Sequence, residues 1–364
     1  TRSKIISSGF HEAVERAAER SSFKEKRGKL PEGKGIGMGC VAIMCGFPMG
    51  FRSGSSCYVK FNDDGQVTLV TGVVDNGQGN ESMMVQIASE VLGVPMEDIN
   101  LVNADTEVTN LDPGAYSQAA AFVGGNAVRL ACEDAKRQIL AIASDKLGAP
   151  AEELELKDRM VISKRDPSKK MPIRWVVREA FFMGRPVMGL GAYMPKIDFE
   201  REWVKRPYGQ MAGTFSYGAS VAEVRVDEET GLVRIERFVA AHDCGNPINP
   251  MAVEGQMEGS VQQAGVATVM EENRWHEGFL LNPDLLEYKV PLACDMPEIE
   301  PIIVSSHDPE GPFGAKEGGL TIRMNAHSAV AVALYDALRM PLKELPYTPD
   351  RVWKALKEKK GGGR

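Results

Sequence analysis

The sequence lacks the features of membrane-spanning proteins, disulfide scaffolds and common metal sites. No apolar stretch reaches the ~20 residues that a spanning helix needs, and the first residues do not resemble a secretion signal. Six cysteines in 364 residues are too sparse for a disulfide scaffold, and none forms a Cys-x-x-Cys pair, so no iron–sulfur cluster is expected. The five histidines show no His-x-x-x-His spacing. We therefore predict a cytoplasmic chain without metal-ligating side chains, whose cysteines and histidines are structural or surface residues.

The charge balance argues against a nucleic-acid partner. The formal net charge is -7 and the pI is about 5.5, with basic residues scattered among acidic ones. Binding to a phosphate backbone requires lysine and arginine clustered on one face. With 43% hydrophobic residues, the chain can instead bury one large core or two modest ones. These properties indicate a globular protein with neither a nucleic-acid partner nor a membrane span.

Strand and helix signals alternate along most of the chain. Asp64-Gly65 and the loop ending at Gly231 each separate two strand-like runs, which predicts two hairpins because glycine supplies the positive φ of tight turns. Apolar residues at helical spacing separate the remaining strand-like runs. Strands are predicted over 56–61, 66–74, 99–102, 216–226, 233–241 and 298–305, helices over 81–92, 125–147, 254–270 and 323–338, and exposed connections over 164–170 and 198–207.

This pattern divides the chain into two αβ parts. We predict one domain over residues 35–350, with subdomains at about 55–165 and 210–345. Residues 1–34 are charged and show no strand signal, so they are predicted to form an N-terminal docking arm that packs on something else. Residues 351–364 are predicted to be a C-terminal tail. The expected fold class is α+β, with two intertwined αβ subdomains and mixed sheets.

A glycine-bearing turn at residues 75–82 joins a predicted strand to a predicted helix. It contains Gly77, Gln78 and Gly79. Free amides and the positive end of a helix dipole at such a junction favour an anionic or polar ligand. The alternative is a tight connection whose glycines only satisfy the backbone geometry.

A second segment, residues 112–127, is rich in small residues and precedes the longest predicted helix. It contains Ser117, Gln118 and Ala119, followed by a glycine pair. Backbone amides of a glycine-rich turn can hold a phosphate group. The alternative is a helix N-terminal loop packed with alanines.

Two further segments have distinctive spacing. Residues 242–259 contain Asp-Cys-Gly, then Asn-Pro, then a Gly-Gln-Met-Glu-Gly run that starts at Gly255. The Asn-Pro step predicts a turn before a helix, and glycines at 255 and 259 predict that another backbone approaches that helix face. Residues 311–320 read Gly-Pro-Phe-Gly-Ala-Lys-Glu-Gly-Gly-Leu.

Together these segments resemble the molybdopterin-binding large subunit of the molybdenum hydroxylases, the xanthine dehydrogenase and aldehyde oxidoreductase family. The resemblance rests on Gly-Gln-Gly at 77–79, on the signature at 242–259 and on Gly-Pro-Phe-Gly-Ala at 311–315, which occur in the family's order. It covers about residues 35–345 and is closest to the 4-hydroxybenzoyl-CoA reductase and nicotinate dehydrogenase types. It implies the fold of the family's second molybdopterin-binding domain.

The resemblance implies a molybdopterin cofactor carrying molybdenum, with the dinucleotide form left open. Asp243 and Asn249 of the signature are interpreted as turn-stabilising residues. Ala119 and Ala121 stand where the family commonly has an arginine and a hydroxyl residue, so polar contacts are lost there. The cofactor-binding candidates are Gly77, Gln78, Gly79, Ser117, Gln118, Ala119, Gln256, Gly314, Ala315 and Lys316.

The resemblance also implies partners. The family's N-terminal half, with its glycine-rich cofactor loop, is not found in these residues, so we expect another subunit to carry it. An iron–sulfur subunit with [2Fe-2S] clusters and a flavin subunit with FAD are expected as well. The implied function is that of a molybdopterin-binding subunit of a multi-subunit oxidoreductase, which hydroxylates or reduces an aromatic, heteroaromatic or aryl-CoA substrate.

One position departs from the family. Leu320 stands where the family loop has its catalytic glutamate. That glutamate is a general base, and such assistance is commonly worth about 10²- to 10⁴-fold in rate. Glu317 is a candidate substitute if the two glycines after it allow the loop to be redrawn. The alternative is that Glu317 pairs with Lys316 or Arg323 at the surface. Altered chemistry and a non-catalytic structural role are therefore the alternative functions.

Overall fold

The computed structural model describes residues 3–47, 54–112, 114–197 and 209–361. Its helices are α1 (Phe10–Ser21), α2 (Phe23–Lys26), α3 (Asn80–Leu92), α4 (Gly125–Leu147), α5 (Ile173–Phe182), α6 (Pro250–Val261), α7 (Ala267–Met270), α8 (Leu285–Tyr288), α9 (Leu320–Leu338) and α10 (Pro349–Gly361). Its strands are β1 (Lys34–Cys45), β2 (Ser55–Phe61), β3 (Val67–Thr71), β4 (Ile99–Asn103), β5 (Leu154–Lys157), β6 (Met160–Ser163), β7 (Lys170–Pro172), β8 (Met188–Tyr193), β9 (Thr214–Val226), β10 (Val233–Asp243), β11 (Trp275–His276), β12 (Phe279–Leu280) and β13 (Glu298–Val304).

The chain forms two compact units and passes between them several times. Unit 1 consists of Met44–Phe215, His307–Glu317 and the N-terminal residues up to Ser7. Unit 2 consists of Ser8–Ile43, Ser216–Ser306 and Gly318–Arg364. Each unit contains helices packed on a mixed sheet, so the predicted α+β class with intertwined subdomains is confirmed.

Unit 1 is built on the sheet β4-β3-β2-β8. Val59 faces Leu69 in the antiparallel β2–β3 pair, whereas Val67 faces Ile99 in the parallel β3–β4 pair. Helices α3 and α4 pack on this unit's core. A smaller antiparallel sheet, β5-β6-β7, completes the unit.

Unit 2 is built on the sheet β1-β9-β10-β13. Strands β9 and β10 are antiparallel, and β10 and β13 are parallel. Helices α6, α9 and α10 and strands β9 and β10 form one apolar cluster, which includes Phe238 of β10 and Val352 and Leu356 of α10. Ala13 and Ala17 of α1 are buried in a second cluster with strand residues of the same unit. The segments before residue 35 and after residue 350 thus both contribute buried side chains to unit 2.

In both units a glycine-bearing strand lies directly against a long helix. A Cβ atom on Gly191 of β8 would lie 2.2 Å from the carbonyl oxygen of Ala127 in α4. A Cβ atom on Gly37 of β1 would lie 2.1 Å from the backbone nitrogen of Ala333 in α9. Only glycine permits this approach, because any Cβ would overlap the helix backbone.

The sequence predictions are mostly confirmed at the level of elements. Both hairpins form, as β2–β3 and β9–β10, and helices occupy the four predicted ranges. The helix predicted over 254–270 is interrupted by a π-helical turn at Gln262–Val266. Strands β1 and β8 were not predicted, because glycine is depleted in strands and weakens their signal. The predicted connection at 198–207 lies outside the described residues.

Two cysteines are packing residues of unit 1. Cys57 and Cys132 are fully buried. Burial raises the pKa of the Cys57 thiol to about 12 and that of the Cys132 thiol well above its ordinary value. Both groups therefore remain protonated and act as small apolar side chains.

Two expectations about helices can be compared with the part of the chain described above. None of its helices is long and apolar enough to cross a membrane. The expected approach of another backbone to Gly255 and Gly259 is wrong there, since no atom lies within 4 Å of a Cβ built at either residue. Those glycines in α6 are open, unlike Gly191.

The glycine contacts generate a test of stability. Gly191→Ala should lower the free energy of unfolding by about 1–3 kcal/mol, because the added methyl overlaps the α4 backbone. Gly255→Ala is the matched control and should be neutral or stabilising by up to ~1 kcal/mol, because alanine is the better helix former. Urea unfolding of both variants measures the difference. Equal effects of the two substitutions would contradict this packing.

Candidate functional site

The turn at residues 75–82 in unit 1 is organised around Asp75. Its carboxylate accepts hydrogen bonds from the backbone N–H groups of Gly77 (2.7 Å), Gly79 (3.4 Å) and Glu81 (3.0 Å). The prediction that these amides are free for an anionic ligand is wrong, because Asp75 already supplies the anion at the start of α3. Burial alone would raise the pKa of Asp75, but the backbone N–H groups outweigh it and hold that pKa below its ordinary value.

The outward side of the same turn is open. Gly77 and Gly79 have φ angles of 104° and 84°, and no atom of the described residues lies within 4 Å of a Cβ built at either one. Gly114, with φ of 105°, is open in the same way. These conformations favour glycine, and the missing side chains leave room for a ligand to lie against the peptide planes.

The side chain of Gln78 folds back on its own turn. Its Oε1 accepts a hydrogen bond from the Asn76 backbone N–H at 2.5 Å. Its Nε2 lies 3.4 Å from the carbonyl oxygen of Val74. The side chain is half-buried, and binding a ligand through its amide would exchange these local contacts.

Ser117 and Gln118 connect the second candidate segment to the end of β1. Ser117 accepts hydrogen bonds through Oγ from the Phe47 N–H (2.7 Å) and through its carbonyl from the Gly46 N–H (2.8 Å). The Gln118 amide, in the orientation that satisfies its hydrogen bonds, donates to the carbonyl of Met44 at 2.5 Å. Both residues have φ near +50°, which is costly for residues other than glycine. The contacts to β1 hold this strained segment in place.

Ala119 lies in a small apolar cluster beside these two residues. It is buried with Phe122 and Val123 and precedes a π-helical turn, Ala120–Gly124. π-Helical turns occur frequently at functional sites. The Ala119 side chain contributes packing, and its backbone N–H donates to the carbonyl of Tyr116 at 3.0 Å.

The loop at residues 307–317 owes its glycines to close contacts within the loop. A Cβ atom on Gly311 would lie 1.9 Å from the carbonyl oxygen of Ala315. Gly314 has φ of 88°, and its Cβ would lie 2.2 Å from Nδ1 of His307. The Gly-Pro-Phe-Gly-Ala sequence is therefore required by the backbone path itself.

Buried polar side chains attach this loop to the rest of unit 1. Asn126 donates hydrogen bonds from Nδ2 to the carbonyls of Phe122 and Glu310, both at 2.8 Å. Asp308 is fully buried and accepts hydrogen bonds from Ser7 Oγ (2.6 Å) and from the hydroxyl of Thr214. The loop is thus fixed by helix α4 and by two other segments.

Tyr193, at the end of β8, is a residue that the sequence did not single out. Burial, together with the nearby carboxylates of Glu310 and Asp308, raises its pKa to about 12. Its hydroxyl therefore stays protonated at neutral pH. No local motif marks this tyrosine, because its neighbours come from a distant part of the chain.

Lys316 and Glu317 are both buried in unit 1. Lys316 is fully buried and Glu317 is 6% exposed. The alternative that Glu317 forms a pair at the surface is wrong, because its side chain does not reach the surface. Buried charges are stable only when other groups compensate them, so both side chains are integral to the loop.

In unit 2, Gly319 is held on both sides. Its N–H donates to Nε2 of His242 at 3.2 Å, and its carbonyl accepts from Ser260 Oγ at 2.8 Å. With φ of 129°, it packs so tightly that a Cβ would lie 2.7 Å from Cβ of Gln256. Leu320, the next residue, is half-buried and begins α9.

The signature at 242–259 holds its own turn, as interpreted from the sequence. Asp243 is fully buried and accepts hydrogen bonds from the Gly9 N–H (2.8 Å) and Ser306 Oγ (2.6 Å). Asn249 caps α6, and its Oδ1 accepts from the Ala252 N–H at 3.1 Å. The turn-stabilising roles of Asp243 and Asn249 are confirmed.

The candidate residues are divided between the units. Unit 2 holds Gln256 and Leu320. Unit 1 holds Gly77, Gln78, Gly79, Ser117, Gln118, Ala119, Gly314, Ala315, Lys316 and Glu317.

Known proteins resemble this chain over nearly all its length. A family model of the molybdopterin cofactor-binding domain matches residues 11–297. The probable hypoxanthine oxidase XdhD of Escherichia coli (strain K12) is 31% identical over 89% of this chain and 32% of that protein. The 6-hydroxypseudooxynicotine dehydrogenase complex subunit gamma of Paenarthrobacter nicotinovorans is 28% identical over 94% of this chain and 42% of that protein. Quinoline 2-oxidoreductase from Pseudomonas putida 86 superposes with a TM-score of 0.84 at 26% identity, covering 97% of this chain and 46% of that chain.

This chain therefore belongs to the molybdopterin cofactor-binding domain family, and it is similar to a part of the large subunits of molybdenum hydroxylases. The resemblance inferred from its motifs is confirmed. The chain spans about a third to a half of the length of these relatives.

The turn around Asp75 gives a pH-dependent prediction. Asp75→Ala should lower the free energy of unfolding at pH 7 by about 1 kcal/mol, because three backbone N–H groups lose their acceptor. The folded pKa of Asp75 lies below its ordinary value of 3.8. Its contribution is therefore complete above that value and is lost as the pH falls through the lower folded pKa.

Urea unfolding of wild type and variant over a series from about pH 7 to pH 3 measures this effect. The difference should narrow at the acidic end. Asp63→Asn, in an exposed hairpin loop, is the control and should change stability little. A difference for Asp75→Ala that is independent of pH would contradict this account.

Proposed function

We propose that this chain is the molybdopterin-binding subunit of a multi-subunit oxidoreductase that hydroxylates or reduces a small aromatic, heteroaromatic or aryl-CoA substrate. The observation that carries the proposal is the open backbone at Gly77 and Gly79 of the 75–82 turn, together with the open backbone at Gly114, all in unit 1. Relatives named for hypoxanthine and quinoline support a heteroaromatic substrate, since both compounds are nitrogen heterocycles.

The residues present fit a pterin cofactor in two respects. The three open glycines leave space along the backbone that any side chain would fill. Gln78, Ser117 and Gln118 of unit 1 would supply hydrogen bonds to its polar edge, and Ala315 and Lys316 of the same unit would lie in the loop beside it. Gln256, in unit 2, is a separate cofactor-binding candidate. When bound, the molybdenum group supplies two-electron redox chemistry.

The same proposal includes partners. A relative named as one subunit of a dehydrogenase complex supports a multi-subunit assembly. We propose that the [2Fe-2S] clusters and FAD are carried by partner subunits of a cytoplasmic complex. The cofactor is molybdopterin in its simple or dinucleotide form.

A second candidate, altered chemistry or a structural role on the same scaffold, is favoured by the loop. Leu320 provides no carboxylate. The Glu317 carboxylate could take the place of the family's glutamate only if the backbone followed a different path at Gly318 and Gly319. Gly319 is bound through both its N–H and its carbonyl, so its backbone is not free to change course. The geometry therefore favours a site without the family's general base.

Cofactor retention tests the main proposal. Gln78→Ala and Gln256→Ala should each reduce the pterin and molybdenum content of the purified complex, because each removes a hydrogen-bonding group worth about 1 kcal/mol, or about fivefold in affinity. Fluorescence of the oxidised pterin and elemental analysis for molybdenum measure this. Gln66→Ala, an exposed glutamine of the β2–β3 hairpin, is the control. A complex without molybdenum, or equal retention in all three variants, would refute the proposed site.

Turnover separates the two candidate functions. Glu317→Gln should leave turnover within about threefold at unchanged cofactor content, and Leu320→Glu should raise hydroxylation of an electron-poor heteroaromatic, if the general base is missing. A loss of about 10²-fold or more in Glu317→Gln would instead assign the base to Glu317. Thermal unfolding of each variant must accompany the rates, because both positions are buried or half-buried and a new carboxylate can destabilise the loop.

A further inference from the structure

We propose that His242 is a positioning residue that fixes residue 320 through the backbone of Gly319. The proposal rests on the proposed function, in which position 320 belongs to the reaction site. The hydrogen bond between His242 and Gly319 lies within this chain, however, and the exchange rate of the Gly319 amide can be measured without cofactor or turnover.

The hydrogen bonds around Gly319 define its position from two sides. Nε2 of His242, on β10, accepts from the Gly319 N–H at 3.2 Å. The Gly319 carbonyl accepts from Ser260 Oγ of α6 at 2.8 Å and from the Ile322 N–H at 2.9 Å. The first residues of α9 are therefore tied to a strand and to a second helix.

Sterics restrict Gly319 as strongly as its hydrogen bonds do. Its φ of 129° is a conformation that other L-residues rarely adopt. A Cβ would lie 2.7 Å from Cβ and 3.0 Å from the carbonyl oxygen of Gln256. The backbone is thus restricted to one conformation at Gly319, and this conformation sets the direction of the Leu320 side chain.

His242 is itself held firmly. It is fully buried at the end of β10. The adjacent Asp243 accepts hydrogen bonds from the N–H groups of Gly9 (2.8 Å) and Gly245 (3.1 Å) and from Ser306 Oγ (2.6 Å). This strand end joins three separate segments, so the imidazole is presented by a rigid part of unit 2.

The consequence concerns any side chain at position 320. Because Nε2 accepts a hydrogen bond, it carries no hydrogen and serves as a fixed acceptor for the loop. A carboxylate introduced at position 320 would be presented from the same first residue of α9 as Leu320 is. The scaffold that orients this position therefore persists although the family's glutamate does not.

Two substitutions separate the acceptor from the bulk of the side chain. His242→Phe keeps a planar ring and removes the acceptor, whereas His242→Gln places Oε1 close to the position of Nε2. Hydrogen–deuterium exchange of the Gly319 amide in the purified chain should be about 10-fold faster in His242→Phe and near wild type in His242→Gln. His327→Phe, an exposed histidine on α9, is the control and should leave the rate unchanged.

Equal exchange rates in wild type and His242→Phe would overturn the proposal, as would equal acceleration in the Phe and Gln variants. If His242→Phe does not fold, His242→Met takes its place, since it also lacks a strong acceptor, and the same comparison with His242→Gln applies. These exchange rates do not depend on molybdenum content, so they test the role of His242 even if the proposed function fails.

Coupling to position 320 provides the functional readout in the assembled complex. The factor by which Leu320→Glu raises turnover should be about 10-fold or more smaller in a His242→Phe background. It should be unchanged in a His242→Gln background. Independent, additive effects of the two substitutions would overturn the positioning role. The comparison of Phe with Gln is essential, because a merely structural histidine would not be rescued by an acceptor placed at the same point.

Discussion

The packing of both units depends on direct contact between glycine-bearing strands and the backbones of long helices. In unit 1, Gly191 of β8 touches the backbone of α4, and in unit 2, Gly37 of β1 touches the backbone of α9. No side chain separates strand from helix at these points, so the helix backbone packs directly on the strand. Helices α4 and α9 begin beside the candidate segments, and their placement therefore sets where those segments lie within each unit.

The loop at residues 311–320 is constrained in the same way, because its glycines have no space for a Cβ atom. Gly311, Gly314 and Gly319 are each required by a contact that a Cβ atom would violate. The glycines of the motif are thus required by the backbone path. The loop can therefore persist as a folding requirement, which is compatible with our proposal that Leu320 stands in place of the family's general base.

Polar groups inside the two units are mostly committed to structure. Asp75 occupies the amides at the start of α3, Asn126 and Asp308 hold the loop in unit 1, and Asp243 joins three segments in unit 2. Asn126, Asp308 and Asp243 are fully buried, so their hydrogen bonds are costly to lose. The open glycines at 77, 79 and 114 differ from these groups, because there the backbone itself is accessible.

The sequence by itself determined the family, the order of its motifs, the two hairpins and the four principal helices. Those features depend on local spacing and turn chemistry, which a linear pattern records. Only the tertiary structure decided that Asp75 fills its own amides, that Glu317 is buried, and that His242 and Ser260 hold Gly319. His242 and Gly319 are 77 residues apart in the chain. Contacts of that kind arise from how strands and helices pack, and no local pattern encodes them.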